Sequence, residues 1–231
     1  MSRLRFCANI SWLFTELPEL SQRIHSAASA GFRAVEVAWP YDSDLDELQR
    51  AQQATGVEVV LINTPLGDVK AGDLGLAAVP GREAEFRRGL DLALKYAKAL
   101  DCRRIHLMAG RLPAGSHRAA VAKEMEAIFV QNLQYSADVL LQEGITGLIE
   151  PINTRITDPT YFLDSPHQGH IQIAQVPGRN EPDSAGELNY RYLFNLLETL
   201  GYQGYIGCEY KPLRSTNEGL GWLKDHWTLS Q

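Results

Sequence analysis

Seven short β-branched or aliphatic runs, separated by longer amphipathic stretches, constrain this chain more than any other feature of it. The runs are LRFCANIS (4–11), AVEVAW (34–39), VEVVLIN (57–63), RRIHLMA (103–109), ITGLIEPI (145–152), HIQIAQV (170–176) and GYIGCEY (204–210). Between them, LPELSQRIHSAASAGF and DLDELQRAQQATG each end on a glycine stop, and GREAEFRRGLDLALKYAKALDC and SHRAAVAKEMEAIFVQNLQYSADVLLQEG space their apolar residues near the 3.6-residue helical period. ELNYRYLFNLLETLGY precedes the last run, and TNEGLGWLKDHW closes the chain as a further helical pattern. A strand followed by a helix before the next strand does not close as a hairpin. It returns in the same direction, which makes the sheet parallel with its helices outside. No low-complexity segment or compositional break interrupts the pattern, so one domain over 1–231 is expected.

Two architectures share this alternation. A doubly wound dinucleotide fold carries a glycine-rich turn after its first strand, whereas the turn here, SWLFTELPE, has no glycine. A (β/α) TIM-type barrel instead gathers polar residues at the C-terminal ends of many strands. Asn9, Trp12, Glu36, Asn63, His106, Glu150, Asn153, Gln172, Gln175 and Glu209 fill those places, and the barrel is the expected fold. Its strand count is seven. Only 19 residues separate Glu150 from His170, and a βα unit of such a barrel takes about 30. PINTRITDPTYFLDSPHQG, with its Asp-Pro and Ser-Pro breaks, supplies no eighth strand.

The bulk properties exclude several partners. A net charge of −6 offers no basic face for a phosphate backbone, so a small-molecule substrate is expected and nucleic acid is not. No apolar run reaches the length of a membrane span. The N-terminal MSRLRFCANISWLF reads as a first strand and not a signal peptide, because Asn9, Ser11 and Trp12 interrupt it. A cytoplasmic location follows as the expectation. Cys7, Cys102 and Cys208, odd in number and without metal spacing, read as buried thiols of a reducing compartment.

Two glutamates carry the chemical signal. Glu150 in GLIEP and Glu209 in GCEYKP each stand in an otherwise apolar strand, where an unpartnered carboxylate is costly. Pairing with a cation at the rim is one reading; a shared site at the same end of parallel strands is the other. With Gln172 at a neighbouring strand end, an all-oxygen site for a divalent cation becomes plausible. Such a pair suits proton abstraction beside a carbonyl. His106 and Asn63 occupy strand ends from which they could line a substrate pocket, and Glu36 and Trp12 are weaker candidates of the same kind. His25, His117 and His226 fall in helical patterns and read as solvent-facing.

RFCANISWLFTELPEL, AGFRAVEVAWPYD, LIEPINTR, HIQIAQVPGRNEPDSAGELNY and GYIGCEYKP together resemble the hydroxypyruvate isomerase family of the xylose-isomerase-like TIM-barrel superfamily. The resemblance implies interconversion of hydroxypyruvate and 2-hydroxy-3-oxopropanoate (tartronate semialdehyde) through an enediolate. It implies Glu150 and Glu209 as the acid/base pair, with Glu150, Gln172 and Glu209 as ligands of Mg or Mn, and no organic cofactor. Arg179 falls where a guanidinium would grip the substrate carboxylate.

The family's remaining ligand is an aspartate on a strand that this chain lacks. About forty residues, a helix, a strand and a second helix, are expected to be missing near Gln168–Gly169. The loss would weaken or abolish metal binding and expose strand edges that invite homo-oligomers. Asp158, Asp164, His167 and His170 are candidates for a replacement ligand, against which stands that a loop rarely reproduces a strand's placement. Two readings of different class follow: an isomerase of this family, and a shortened chain of it that is catalytically impaired or inactive. A ketose epimerase is disfavoured because Gln172 stands where those enzymes use a histidine.

Overall fold

The computed structural model describes residues 4–152, 154, 157–163 and 171–225. The break expected at Gln168–Gly169 lies outside them, as do Asn153, Asp164, His167, His170 and His226. All seven expected strands form, each shorter than its apolar run: β1 (Arg5–Asn9), β2 (Ala34–Val37), β3 (Glu58–Asn63), β4 (Arg104–His106), β5 (Thr146–Leu148), β6 (Ile171–Ile173) and β7 (Tyr205–Cys208). Among the described residues five α-helices lie between them, α1 (Leu20–Ser29), α2 (Leu45–Thr55), α3 (Glu83–Ala99), α4 (Arg118–Gln142) and α5 (Tyr190–Thr199). The chain packs as two compact units, Met1–Val60 with His170–Gln231, and Leu61–Gly169.

In the first unit the strands run in the order β2-β1-β7-β6, all parallel. The register pairs Asn9 with Glu36, Cys7 with Gly207, and Gln172 with Gly207. α2 is capped at both ends: the Asp44 carboxylate accepts from the Glu47 N–H at 3.1 Å, and Gly56 closes it at φ 67°, a conformation that costs glycine nothing. Behind the sheet, Phe6, Phe194 and Trp222 pack edge to face or stacked with centroids 5.3–5.8 Å apart. The Trp222 indole N–H donates to the Tyr210 hydroxyl at 3.1 Å. The final segment forms a 3₁₀ run, Glu218–Asp225, where an α-helix was expected. Gly219 and Gly221 within it weaken an α-helix by about 1 kcal/mol each.

In the second unit the order is β3-β4-β5, again parallel. α3 buries Phe86, Leu90, Ala93, Leu94, Tyr96 and Ala97, and α4 buries Met125, Phe129, Asn132, Ser136 and Leu140. These are single stripes at three- and four-residue spacing, as an outer helix on a sheet requires. Within α4 the buried Asn132 amide donates to the Ala77 carbonyl at 2.8 Å. No helix among the described residues is long and apolar enough to cross a membrane. All three cysteines are buried thiols, as the sequence suggested.

Candidate active site

Strand pleating decides which side chains of the first unit meet. Residues in register across parallel strands share a face, and so do residues two apart along one strand. Gln172, in register with Gly207, therefore shares a face with Glu209. Cys7, also in register with Gly207, shares it with Asn9, and Asn9 with Glu36. Five polar or thiol side chains are gathered on one face of four strands.

The strands also curl. β2 and β6 have β1 and β7 between them, and on a flat sheet their side chains would stand parallel about 14 Å apart. Here the Gln172 Nε2 donates to the Glu36 Oε2 at 2.7 Å. The contact passes over Gly207, where any Cβ would collide with the Glu36 carboxylate. Glu36 is 1% exposed. It also accepts from Asn9 Nδ2 at 3.1 Å and from the Cys7 thiol at 3.3 Å. Burial, and secondarily the charge of Glu36, push the Cys208 thiol well above its ordinary value, so it stays protonated.

Arg179 and Glu209 form the second feature of this unit. The Arg179 Nη2 lies 3.4 Å from Glu209 Oε1 and donates to the Glu209 carbonyl at 3.3 Å. Its guanidinium stands 5.3 Å from the ring centre of Trp12, a cation–π distance. The backbone at Arg179 is left-handed, φ 54°, and is held by two hydrogen bonds, Arg179 N–H to Gln175 O at 2.7 Å and Lys211 N–H to Arg179 O at 2.6 Å. Gln175 is buried and is scaffold: its amide donates to the carbonyls of Pro182, Ser184 and Leu188 and accepts from the N–H groups of Val176 and Leu188. That clamp fixes the loop that carries Arg179. Tyr190 at the head of α5 has its hydroxyl pushed up to about 12 by burial, and donates to the Ala174 carbonyl.

The second unit holds the other candidates. Asn63 ends β3 in register with His106, which ends β4 in register with Leu148. Two residues beyond Leu148, the Glu150 carboxylate lies 3.8 Å from His106 Nδ1. His106 is buried and Glu150 is half-exposed. The Asn63 amide faces the Met108 sulfur at 3.8 Å. Asp158, one of the residues considered as a replacement ligand, is committed elsewhere: it accepts from Arg111 at 2.6 Å and from the Thr160 hydroxyl at 2.7 Å.

The structure thus joins Arg179 with Glu209, Gln172 with Glu36, and His106 with Glu150. The two carboxylates of the expected acid/base pair belong to different units, Glu209 to the first and Glu150 to the second. Glu36, ranked low in the sequence, is the hub of the first unit's polar face. Its signal was an acid inside the apolar run AVEVAW. For a metal, Glu150, Gln172 and Glu209 offer the hard oxygen donors that Mg and Mn take. Among the described residues, however, no three His, Cys, Asp or Glu side chains gather into a group able to hold an ion. The donor chemistry fits a divalent cation, and the ligand number is short.

Comparison with known proteins places this geometry. The sequence profile described as xylose isomerase-like TIM barrel matches residues 24–168 and 161–226. The match is in two pieces, and it breaks where the missing unit was expected. A Danio rerio relative provisionally named hydroxypyruvate isomerase is 60% identical, with 98% of this chain and 97% of the relative covered. That alignment runs over 267 positions against 231 residues here, so the relative carries residues with no counterpart in this chain. The hydroxypyruvate isomerase of Escherichia coli K12 is 38% identical over 95% of this chain and 98% of its own. A crystal structure of a protein named AP endonuclease, family 2, from Brucella melitensis superimposes with a TM-score of 0.87 at 40% identity, covering 99% of this chain and 100% of that one.

Proposed function

This chain belongs to the xylose isomerase-like TIM-barrel family and is an isomerase, and we propose that it interconverts hydroxypyruvate and 2-hydroxy-3-oxopropanoate by carboxylate-mediated proton transfer. The observation that carries the reading is the pairing of Arg179 with Glu209 beside Trp12. A guanidinium locked in place next to a strand-end carboxylate is what a small 2-oxo acid needs: a grip for its carboxylate and a base for the carbon two bonds away. The names of the relatives support the substrate class, since hydroxypyruvate and 2-oxo-tetronate, the latter in the name of a Cupriavidus necator relative 42% identical over 96% of this chain, are both 2-oxo acids.

In the proposed reaction Arg179 binds the substrate carboxylate. One of Glu209 and Glu150 takes a proton from C3 of hydroxypyruvate, and the C2 carbonyl oxygen gains a proton, giving the C2–C3 enediol. The C3 hydroxyl then loses its proton to become the aldehyde, and the other carboxyl delivers a proton to C2. Four proton moves balance, and no electron leaves the molecule. Within the second unit, His106 beside Glu150, and Asn63 at the end of β3, are the residues the proposal assigns to substrate contact. Glu150, Gln172 and Glu209 are the residues that would hold a divalent cation, which would polarise the substrate oxygens when bound.

An endonuclease reading, which the name of the Brucella protein raises, meets a chain of net charge −6, which gives no electrostatic reason to bind a phosphate backbone. The competing reading is an impaired shortened chain. Turnover of hydroxypyruvate, with and without Mg²⁺ or Mn²⁺, separates the two. Measurable isomerisation by the wild type, falling about 10²–10⁴-fold in Glu209→Gln and in Glu150→Gln, supports the proposal. A wild type that turns over neither hydroxypyruvate nor 2-oxo-tetronate rejects it.

A further inference from the structure

We propose that Trp12 is a positioning residue: its ring holds the Arg179 guanidinium off a closed, two-point pairing with Glu209 and so leaves N–H donors for the substrate carboxylate. The inference deepens the proposed function and rests on Arg179 being the carboxylate grip of that site.

The ring sits on a turn with little freedom. Every backbone N–H from Ser11 to Phe14 is bonded. Ser11 donates to Asn9 Oδ1 at 3.2 Å, and Trp12 and Leu13 both donate to the Asn9 carbonyl, at 3.0 and 2.9 Å. Phe14 donates to the hydroxyl oxygen of the buried Thr216 at 2.8 Å. Its own backbone is left-handed, φ 58°, which a bulky residue adopts only where its surroundings impose it. The Ser11 hydroxyl oxygen accepts from the Ala38 N–H at 2.9 Å and ties the turn to the end of β2. Leu13 and Phe14 are 0 and 1% exposed, whereas Trp12 is 36% exposed. A large apolar ring is thus fixed at a strand end and kept out of the core.

Arg179, held by its own loop, reaches Glu209 loosely. The Nη2–Oε1 separation is 3.4 Å, against about 2.7–2.9 Å in a charge-assisted hydrogen bond. The same nitrogen donates to the Glu209 carbonyl at 3.3 Å. A guanidinium beside a carboxylate frequently closes a fork of two parallel bonds; here it stands 5.3 Å from the Trp12 ring centre instead. The two partners differ in what they consume. A fork on Glu209 takes two of the five N–H donors and occupies the carboxylate that the reaction uses, whereas the ring has no acceptor oxygen and takes none of them. A cation–π contact and a partly exposed ion pair are worth about the same, so a fixed ring is enough to tip the balance. The Arg179 side chain is 40% exposed, and a ligand can reach the donors that remain.

The test is a double-variant cycle on the full chain, read by NMR titration with pyruvate in Mg²⁺ buffer. Pyruvate is a 2-oxo acid with no C3 hydroxyl to isomerise, so its affinity reports the grip whether or not the chain turns over. The proteins are the wild type, Trp12→Leu, Arg179→Gln, Trp12→Leu/Arg179→Gln and the conservative Trp12→Phe. Trp12→Leu is expected to weaken pyruvate about 2–30-fold, the range that a cation–π contact spans, and Trp12→Phe to recover at least part of that. With Arg179→Gln there is no cation for the ring to hold, and Trp12→Leu then changes the affinity less than about twofold. Bound substrate reopens the Arg179–Glu209 pair, so for hydroxypyruvate the loss in Trp12→Leu falls on KM and not on kcat. An equal loss in both backgrounds, no loss in either, or a loss confined to kcat overturns the role of Trp12 while leaving the grip intact. Pyruvate that binds Arg179→Gln as tightly as the wild type, or binds neither, removes the grip and the proposal with it. Should Trp12→Leu not fold, the wild type gives its own reading. The ring current of Trp12 is expected to move the Arg179 Nε proton upfield, and to keep it there when pyruvate is added. An upfield shift that vanishes on adding pyruvate overturns the proposal.

Discussion

Arg179 combines a left-handed backbone, a carboxylate neighbour and an aromatic face in one residue. A long side chain at φ 54° is uncommon and is kept only where its surroundings hold it. Here those surroundings are the Gln175 clamp and the Lys211 hydrogen bond. Replacing Arg179 with lysine keeps the charge but loses the planar fork. KM for hydroxypyruvate is expected to rise about 10–100-fold, the worth of one charge-assisted pair, with kcat changed much less. A drop in kcat at constant KM would place Arg179 in the chemistry and not in binding. At this scale the sequence was legible where a polar residue interrupts an apolar run at a strand end, as Glu209 and Gln172 do. It was less legible at Glu36. The partners of Glu36 sit on β1 and β6, and the bond to Gln172 exists only because four strands curl. No local pattern encodes that curl.

Elements were the most readable level. Each of the seven apolar runs became a strand, shortened at its ends where the pairing stops, and the capping of α2 by Asp44 and Gly56 follows from residue types alone. The closing segment departed from its helical pattern because two glycines and the Trp222–Tyr210 hydrogen bond favour a tighter turn. Asp158 shows how a connection can matter as much as an element. Burial alone would raise its pKa, but hydrogen bonds from Thr160 and Arg111 outweigh burial and hold the carboxyl below its ordinary 3.8. A lowered native pKa means that its stabilisation is complete above the ordinary value and is lost as pH falls through the native one. Asp158→Asn is therefore expected to cost about 1.5–3 kcal/mol near neutral pH, with the gap from wild type closing in acid. Urea unfolding of both proteins from about pH 7 down to about pH 3 checks this, and a pH-independent gap would contradict it.

For the whole molecule, the profile match that breaks at 161–168 and the extra residues of the Danio rerio relative mean that this chain lacks a piece its family carries. The break lies beside β6, which among the described strands pairs only with β7. In the same unit, α5 and its flanks present Leu188, Tyr192, Leu196 and Leu200 at four-residue spacing, with exposures of 38, 61, 37 and 71%. An apolar stripe and a sheet edge in one unit invite a second copy of the chain, since an isologous contact needs only one surface complementary to itself. Sedimentation equilibrium is expected to show concentration-dependent dimers, shifted toward monomer by Tyr192→Glu with Leu196→Glu. A wild type that stays monomeric at all concentrations would contradict this. The seven-strand count and the break were legible from spacing. The exposed stripe on α5 was not, because which face of a helix stays uncovered is decided by what packs against it.

The most direct test of the isomerase reading is to follow hydroxypyruvate by NMR in D₂O with the wild-type chain and with Glu209→Gln. Proton transfer through a carboxyl that exchanges with solvent predicts 2-hydroxy-3-oxopropanoate carrying deuterium at C2. It also predicts exchange at C3 of the remaining substrate, both lost in the variant. Product formed without any deuterium uptake, or formed as fast by Glu209→Gln as by the wild type, would contradict it.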